Sequence, residues 1–310
     1  MKPDIAVLIP CYNEAQTVAK VVTDFQRALP GATILVYDNA STDATASIAR
    51  AAGAVVRSEP LRGKGNVVRQ MFADIEADVY VLVDGDDTYE AGSAPEMVRR
   101  LLGESLDLVN GARVPVGTDA YRPGHRFGNR LLTATIAMLF GNRLTDLLSG
   151  YRVFSRRFVK SFPSLASGFE IETEFSVHAL QLRMPLCEIP TPYRERPEGS
   201  VSKLATWRDG FRILRTIVAL VRSEKPLAFF GGLAVVVALA SLGLGIPVVV
   251  EFARTGLVPR FPTAILAAAL MIIAFLSFSC GLILDTVSRG RVEAKRLSYL
   301  AIPIRFSGRG

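Results

Sequence analysis

Histidine and cysteine are scarce in this chain, two and three in 310 residues. Cys11, Cys187 and Cys280 are odd in number and widely spaced, and one sits inside an apolar run, so neither a zinc-ligand spacing nor a disulfide framework is present. All three are read as structural. A GxxxxGK[ST] phosphate loop and a GxGxxG fingerprint are both missing, which argues against P-loop and Rossmann dinucleotide chemistry. Internal repeats and low-complexity tracts are absent as well. The opening residues MKPDIAVLIPCYNE lack the long apolar core and cleavage site of a secretory signal, so the first domain is expected to stay in the cytosol.

What the chain has in quantity is uncharged length near its end. Leu227–Val250 and Phe261–Leu284 carry no charge over 24 residues each. As helices they would extend about 36 Å at ~1.5 Å per residue, against a hydrocarbon core of roughly 30 Å. Both are long enough to span with some tilt, and the short EFARTGLVPR between them makes a tight hairpin. Arg208, Arg212, Arg215, Arg222 and Lys225 precede the hairpin, and Arg289, Arg291, Lys295, Arg296, Arg305 and Arg309 follow it. The connecting loop holds only Arg254 and Arg260. Basic residues stay inside, so both ends are expected to be cytosolic, as at a bacterial inner membrane. The net charge of +7 lies largely beside these runs, where anionic lipid is a simpler partner than nucleic acid, and no nucleic-acid module is present. Leu204, Trp207, Phe211, Leu214, Val218 and Val221 recur at three- and four-residue steps, with the arginines mainly off that stripe. That pattern predicts an amphipathic helix in the membrane interface; packing of the same stripe on the soluble domain is the competing reading.

Residues 4–110 alternate between short apolar runs and helical spacing. Ile5–Ile9, Thr33–Tyr37, Ala54–Arg57, Val79–Val83 and Leu106–Val109 read as strands. Glu14–Leu29, Asp43–Ala52, Gly65–Glu76 and Ser93–Leu102 read as helices, the first with Asn13 as its N-cap. The alternation predicts an α/β fold with a mostly parallel sheet covered on both faces. Beyond residue 110, Val114–Gly124 reads as a loop, Arg126–Phe140 and Phe169–Leu182 as helices, and Thr145–Arg157 as mixed. Pro185–Gly199, with its prolines and charges, reads as an irregular surface loop.

Several strands end in polar groups: Pro10-Cys11-Tyr12-Asn13-Glu14, Tyr37-Asp38-Asn39 and Asp84-Gly85-Asp86. Ligands gather outside the carboxyl ends of strands in open α/β sheets, so this rim is the expected nucleotide cleft. Asp84 and Asp86 would share one side if the strand continues, and hard oxygen ligands of this kind suit Mg2+ or Mn2+. An acidic turn capping the next helix is the plainer alternative. Gly63-Lys64-Gly65 is a possible anion contact or a solvated turn.

PCYNE at 10–14, YDNASTDAT with Asp38 and Asp43, GKG at 63–65 and DGDD at 84–87, in this order, resemble the family-2 glycosyltransferases of the GT-A fold. Gly111-Ala112-Arg113, Arg126 with Arg130, DLLSGYR at 146–152 and ERPEGSVSK at 195–203 narrow the likeness to polyprenyl-phosphate glycosyltransferases, the group that includes dolichol-phosphate mannose synthase and bacterial undecaprenyl-phosphate glucosyltransferases. The resemblance covers residues 4–203 and implies roles. Pro10, Tyr12, Glu14, Asp38 and Lys64 would hold the base, ribose or nearby phosphate of a nucleotide sugar. Asp84 would contact the nucleotide side and share the metal with Asp86. Arg113, Arg126 and Arg130 would receive the lipid phosphate, and Arg196 and Lys203 would fold over the donor. Asp146 is the candidate active-site carboxylate of the second half, able alternatively to cap a helix or pair with Arg152. Thr88 stands where the dolichol-phosphate mannose type often has Gln, so its metal role stays open. The acceptor phosphate needs no general base, so His125 and His178 are read as structural.

The implied activity is inverting transfer of one hexose to polyprenyl phosphate from a nucleotide sugar, UDP-glucose first and GDP-mannose next. A processive polysaccharide synthase and a non-catalytic nucleotide-sugar-binding membrane partner are the alternatives; no QxxRW motif occurs to support the first. Expected organisation is a GT-A domain at 1–203, a juxtamembrane helix at 204–226, two spans at 227–285 and a basic tail at 286–310. Exposed membrane faces make a homo-oligomer plausible.

Overall fold

Apolar runs without alternation need cover on both sides, and in this chain they become the strands of a sheet clad by helices on each face. The computed structural model describes residues 2–116, 133–141, 144–168, 170–194, 215 and 217–303. It divides into two compact units, Met1–Ile213 with Lys295–Gly310, and Leu214–Ala294.

In the first unit the expected alternation is present: β1 (Ile5–Cys11), α1 (Val18–Ala28), β2 (Thr33–Asp38), α2 (Thr45–Ala51), β3 (Val55–Ser58), α3 (Lys64–Asp74), β4 (Val79–Leu82), α4 (Ala94–Gly103) and β5 (Leu108–Pro115). After them come β6 (Arg152–Ser155), α5 (Arg156–Ser161), α6 (Ile171–Gln181) and β7 (Leu186–Tyr193). Seven strands lie in the order β3-β2-β1-β4-β6-β5-β7. β1 pairs parallel with β2 and β4, β2 with β3, and β5 with β7. Only β6 runs against its neighbours, β4 and β5. The carboxyl ends of the six parallel strands therefore share one rim with the start of β6.

The alternating faces of each strand feed two cores. On one side Val7, Ile9, Val36, Val81, Val109 and Val153 pack with Val22 and Phe25 of α1 and Met97 and Leu101 of α4. On the other, Phe72 of α3 meets Tyr80, Phe154, Phe162 and Phe175 at ring separations of 5.8–6.2 Å. His178 belongs to this aromatic side, edge-on to Phe158 and Phe162 at 5.3 Å, with Ser161 Oγ 3.3 Å from Nε2.

Two expectations give way. Asn13 is not the cap of α1: it adopts a left-handed φ of 54° and bonds sideways, its side-chain oxygen accepting from the Thr42 amide and its own amide donating to Ser41 Oγ, while Thr17 occupies the N-cap position. Pro185–Gly199 is not wholly irregular, because Leu186–Tyr193 forms β7 in continuous parallel register with β5. Pro190 and Pro192 are compatible with that strand because β7 is the last in the sheet; residues two apart point their amide positions the same way, here to the open edge.

At the opposite end of the sheet from the strand-end rim, residues 295–303, which belong to the first unit, add a further cluster. Tyr299 Oη donates to Asp107 Oδ2 at 2.5 Å, and the Arg157 guanidinium lies 3.8 Å from the Tyr299 ring centre. Asp107 also accepts from Ser155 Oγ at 2.6 Å and pairs with Arg157 at 3.3 Å.

In the second unit, α7 (Pro226–Thr255) and α8 (Phe261–Leu300, its residues from Lys295 on in the first unit) carry the two apolar runs, joined through Gly256 at a left-handed φ of 67°. They meet through small residues: Ser241 Oγ donates to the Ala267 carbonyl at 2.7 Å, and a Cβ on Gly281 would press on Phe230 Cβ at 3.1 Å. Val236, Leu239, Ile272 and Phe275 are exposed. Both helices are long and apolar enough to cross a membrane. Of the expected amphipathic stripe, Leu204, Trp207, Phe211 and Leu214 lie outside the described residues.

Burial among these rings, and then the positive charge of Lys295, push His178 down from 6.5 to about 3. Between those values the unfolded chain takes up a proton that the folded chain refuses, so stability falls as pH drops from 6.5 toward 3. His178→Phe is expected to flatten that part of the curve; unfolding midpoints of the solubilised full chain across pH 4–7 would show parallel slopes if the idea is wrong.

Candidate active site

The rim at the ends of β1, β2 and β4 is built of short loops tied to one another. The Glu14 amide donates to Thr45 Oγ1 at 2.9 Å, the Ala15 amide to Asp43 Oδ2 at 3.3 Å, and Thr17 Oγ1 to the Gly85 carbonyl at 2.6 Å. Burial would raise the Asp43 carboxyl, but bonds from Thr45 and Ala15 outweigh it and hold the group below its ordinary range. Asn39 ties a further loop, donating to the carbonyls of Glu59 and Leu61 and accepting from the Gly63 amide. The Arg62 guanidinium lies 5.0 Å from the Tyr12 ring centre, and Pro10 sits in β1 opposite Tyr37.

Carboxylates converge here. The buried Cys11 thiol is pushed well up, first by burial and then by the charges of Glu14, Asp38, Asp84 and Asp86. Asp38 is buried; Oδ2 accepts from the Ser41 amide at 3.3 Å, and Oδ1 has no hydrogen-bond partner among the described residues. β4 stops at Leu82, so Asp84 and Asp86 stand on the turn that follows rather than on a continuing strand. Asp86 Oδ1 accepts from Thr88 Oγ1 at 2.7 Å and from the Thr88 amide at 3.3 Å. Thr88 thus orients Asp86.

Lys64 stands among these acids. Lys64 Nζ lies 2.5 Å from Asp84 Oδ1 and 2.6 Å from Glu172 Oε1. Burial alone would lower the Lys64 ammonium, but the charges and hydrogen bonds of both carboxylates outweigh it and raise it, so the group stays charged. The glycines around it are there for close packing. The Gly65 amide donates to the Ser167 carbonyl at 3.1 Å, and a Cβ on Gly65 would collide with the Ala166 carbonyl oxygen. Gly63-Lys64-Gly65 is therefore neither a solvated turn nor an open amide cradle.

The second half of the sheet adds another cluster. Arg113 grips Asp146 with Nε at 2.7 Å and Nη2 at 2.8 Å, and its backbone amide donates to the same carboxylate at 3.1 Å. Burial raises the Asp146 carboxyl, but Arg113 more than reverses this and holds it below its usual range. Asp146 thus pairs with Arg113 and not with Arg152, whose buried guanidinium donates to the carbonyls of Ser149 and Leu147 and to Ser176 Oγ. Glu188 supports this cluster, accepting from Asn110 Nδ2 at 2.7 Å and from the Asp146 amide at 3.1 Å. Tyr89 joins the two halves: it takes the Gly150 amide on its Oη at 2.8 Å and lies within electrostatic reach of both Arg113 and Asp84. Gly150 itself abuts Asp84, and a Cβ there would collide with Oδ2.

Arg126, Arg130, Arg196 and Lys203 lie outside the described residues. Glu172, Tyr89 and Glu188 are additions that sequence reasoning missed, and Asn39, placed at the rim by its strand end, proves to tie the loops there. For Glu172 a signal existed: it is an acid in the first turn of a helix whose first turns are buried nearly all round.

No group of three or more His, Cys, Asp or Glu able to hold a metal occurs among the described residues. Two aspartates with hard oxygens, one braced by a threonine and both set in surplus negative charge among the described residues, nevertheless fit a Mg2+ or Mn2+ ion that completes its shell with water and a substrate diphosphate.

A mostly parallel sheet with carboxylates and a buried lysine at its strand ends defines an α/β protein whose ligand site is the crevice at that rim. Residues 6–162 match the sequence profile of glycosyl transferase family 2. Glycosyltransferase AglJ of Haloferax volcanii is 37% identical over 257 residues, covering 81% of this chain and 83% of AglJ. The dolichyl-phosphate hexose transferase of the same organism is 28% identical over 222 residues, covering 72% of this chain and 96% of the relative. Among solved structures, glucosyl-3-phosphoglycerate synthase from Mycobacterium tuberculosis, in complex with Mn2+, UDP-glucose and phosphoglyceric acid, superposes with a TM-score of 0.57 at 25% identity, covering 72% of this chain and 79% of that one. The chain belongs to glycosyl transferase family 2 and has the GT-A fold.

Removing one partner of a buried ion pair strands the other charge, at a typical cost of about 3–5 kcal/mol. Asp146→Ala is expected to destabilise the first unit by about that amount, and pairing it with Arg113→Met should recover most of the loss. Denaturant unfolding of the solubilised full chain tests this; wild-type stability in the single variant would count against a buried, bidentate pair.

Proposed function

We propose that this glycosyltransferase moves a single hexose from a nucleotide sugar, UDP-glucose first and GDP-mannose next, to polyprenyl phosphate at the cytosolic membrane face. The observation that carries the reading is the meeting of Asp38, Asp84, Asp86 and Lys64 at one rim. The name of the Haloferax dolichyl-phosphate hexose transferase favours a polyprenyl-phosphate acceptor, the UDP-glucose and Mn2+ of the mycobacterial neighbour favour the donor and a divalent metal, and the two long apolar helices suit a lipid substrate.

In this reading Pro10, Tyr12, Glu14 and Asp38 hold the nucleoside, the unsatisfied Asp38 Oδ1 offering a buried acceptor to a ribose or base donor. Asp84 and Asp86 hold the metal, with Thr88 fixing the angle of Asp86. When bound, a divalent cation supplies charge stabilisation to the departing diphosphate. Lys64 adds fixed positive charge close by. An acceptor phosphate oxygen attacks the anomeric carbon on the face opposite the diphosphate; the new bond forms as the sugar–diphosphate bond breaks, inverting the configuration. A phosphate monoester is largely dianionic at neutral pH, with a second pKa near 6, so no side chain has to remove a proton. Arg113, with Arg126 and Arg130, would present that phosphate, guanidinium groups being suited to grip its oxygens in pairs. Asp146 then acts by aiming Arg113. Arg196 and Lys203 would close over the donor.

A phosphate-bearing acceptor is also what the mycobacterial neighbour holds, in the form of phosphoglyceric acid. Membranes containing the full chain, given radiolabelled UDP-glucose or GDP-mannose with polyprenyl phosphate or phosphoglyceric acid, distinguish the acceptors. One sugar on lipid is expected. Label in a soluble phosphate ester, in a polymer or in nothing would sink the proposal. Asp86→Ala is expected to lower transfer on the order of 100-fold or more, the usual loss when one electrostatic stabiliser is removed, without changing membrane insertion.

A further inference from the structure

Lys64 is shared by two carboxylates in unequal surroundings. The Lys64 and Glu172 side chains are only 9% and 7% exposed, whereas Asp84 is 27% exposed. An ammonium has three donors, and Lys64 uses one toward Asp84 Oδ1 and one toward Glu172 Oε1. Glu172 Oε2 is buried and has no hydrogen-bond partner among the described residues. The backbone around Lys64 is pinned to the segment leading into α6, which carries Glu172: Gly65 bonds to Ser167 and presses on Ala166. Asp84 comes from a different part of the chain, the turn after β4.

We propose that Lys64 is the resident counter-cation of Asp84 in the donor-free protein, and that Glu172 is a positioning residue that keeps Lys64 when Asp84 exchanges it for the divalent cation of the donor complex. The inference rests on the reading of Asp84 and Asp86 as metal ligands. The vacant Glu172 Oε2 is the acceptor to which the released Lys64 donor turns, so no buried donor is left unpaired at the exchange. Packing between residues 63–65 and 166–167 decides which carboxylate Lys64 follows. Both partners of Lys64 are needed, one to hold its place and one to hold the lysine.

Opposite signs test the exchange. Mn2+ alone is titrated into the solubilised full chain without nucleotide, and free Mn2+ is read by its electron paramagnetic resonance signal. Glu172→Gln leaves Lys64 with Asp84 as its only charged partner among the described residues, and Mn2+ affinity is expected to fall about tenfold. Lys64→Met removes the competitor, and affinity is expected to rise about tenfold. A merely structural Glu172–Lys64 contact would weaken binding in both variants or in neither. Unchanged affinity in Glu172→Gln, or weakened affinity in Lys64→Met, overturns the inference; if Glu172→Gln does not fold, Lys64→Met decides alone. Absence of Mn2+ binding by the wild-type chain would remove the metal reading itself and this inference with it, whereas wild-type binding indifferent to both substitutions removes only the inference.

Discussion

Parallel strands that end at one rim bring their acids together, and charges of one sign crowded in a half-dry crevice must be compensated. Two unit charges 4 Å apart interact by about 4 kcal/mol at an effective dielectric of 20. Here Glu14, Asp38, Asp84 and Asp86 all bear on the Cys11 thiol, and Glu172 approaches through Lys64. Lys64 cannot balance them all, and Arg113 is committed to Asp146. Among the described residues negative charge is left in surplus at this rim, a setting suited to a divalent cation.

The sheet divides the labour. β1, β2 and β4 carry the acids, and their loops are cross-tied by Thr17, Asn39, Asp43 and Thr45, so the crevice wall is set by hydrogen bonds rather than by any single element. β5, β6 and β7 carry the Arg113–Asp146–Glu188 cluster. Tyr89 and Gly150 join the halves, Gly150 because only a residue without a Cβ lets Asp84 approach that backbone. The antiparallel β6 matters for the same reason: by running against β4 and β5 it brings its beginning, with the 146–151 segment, to the same rim as their ends.

Much of this was legible beforehand. The apolar runs and helical spacings of residues 4–110 are the strands and helices observed, because a sheet covered on both faces writes itself as unbroken Val, Ile and Leu. The two apolar helices were plain from length and lack of charge. Less legible were features set by neighbours. β7 reads as a loop because of Pro190 and Pro192, and only its place at the sheet edge makes those prolines compatible with a strand. Asn13 has the chemistry of a cap but serves the adjacent loop instead. Gly63-Lys64-Gly65 reads as an anion contact or a solvated turn, and packing of Gly63 and Gly65 against Ala166 and Ser167 rules out the solvated turn.

The order of residue types along the chain determined the fold class, the family and the set of acids at the strand ends, because those depend on local periodicity and on motifs contiguous in sequence. Tertiary structure alone decided which charges meet. Lys64 lies 108 positions from Glu172, and Arg113 lies 33 from Asp146, and no periodicity connects such partners. Pairing of that kind is set by which strand ends and helix faces the sheet order brings into contact, and burial then determines how much each charge depends on the other.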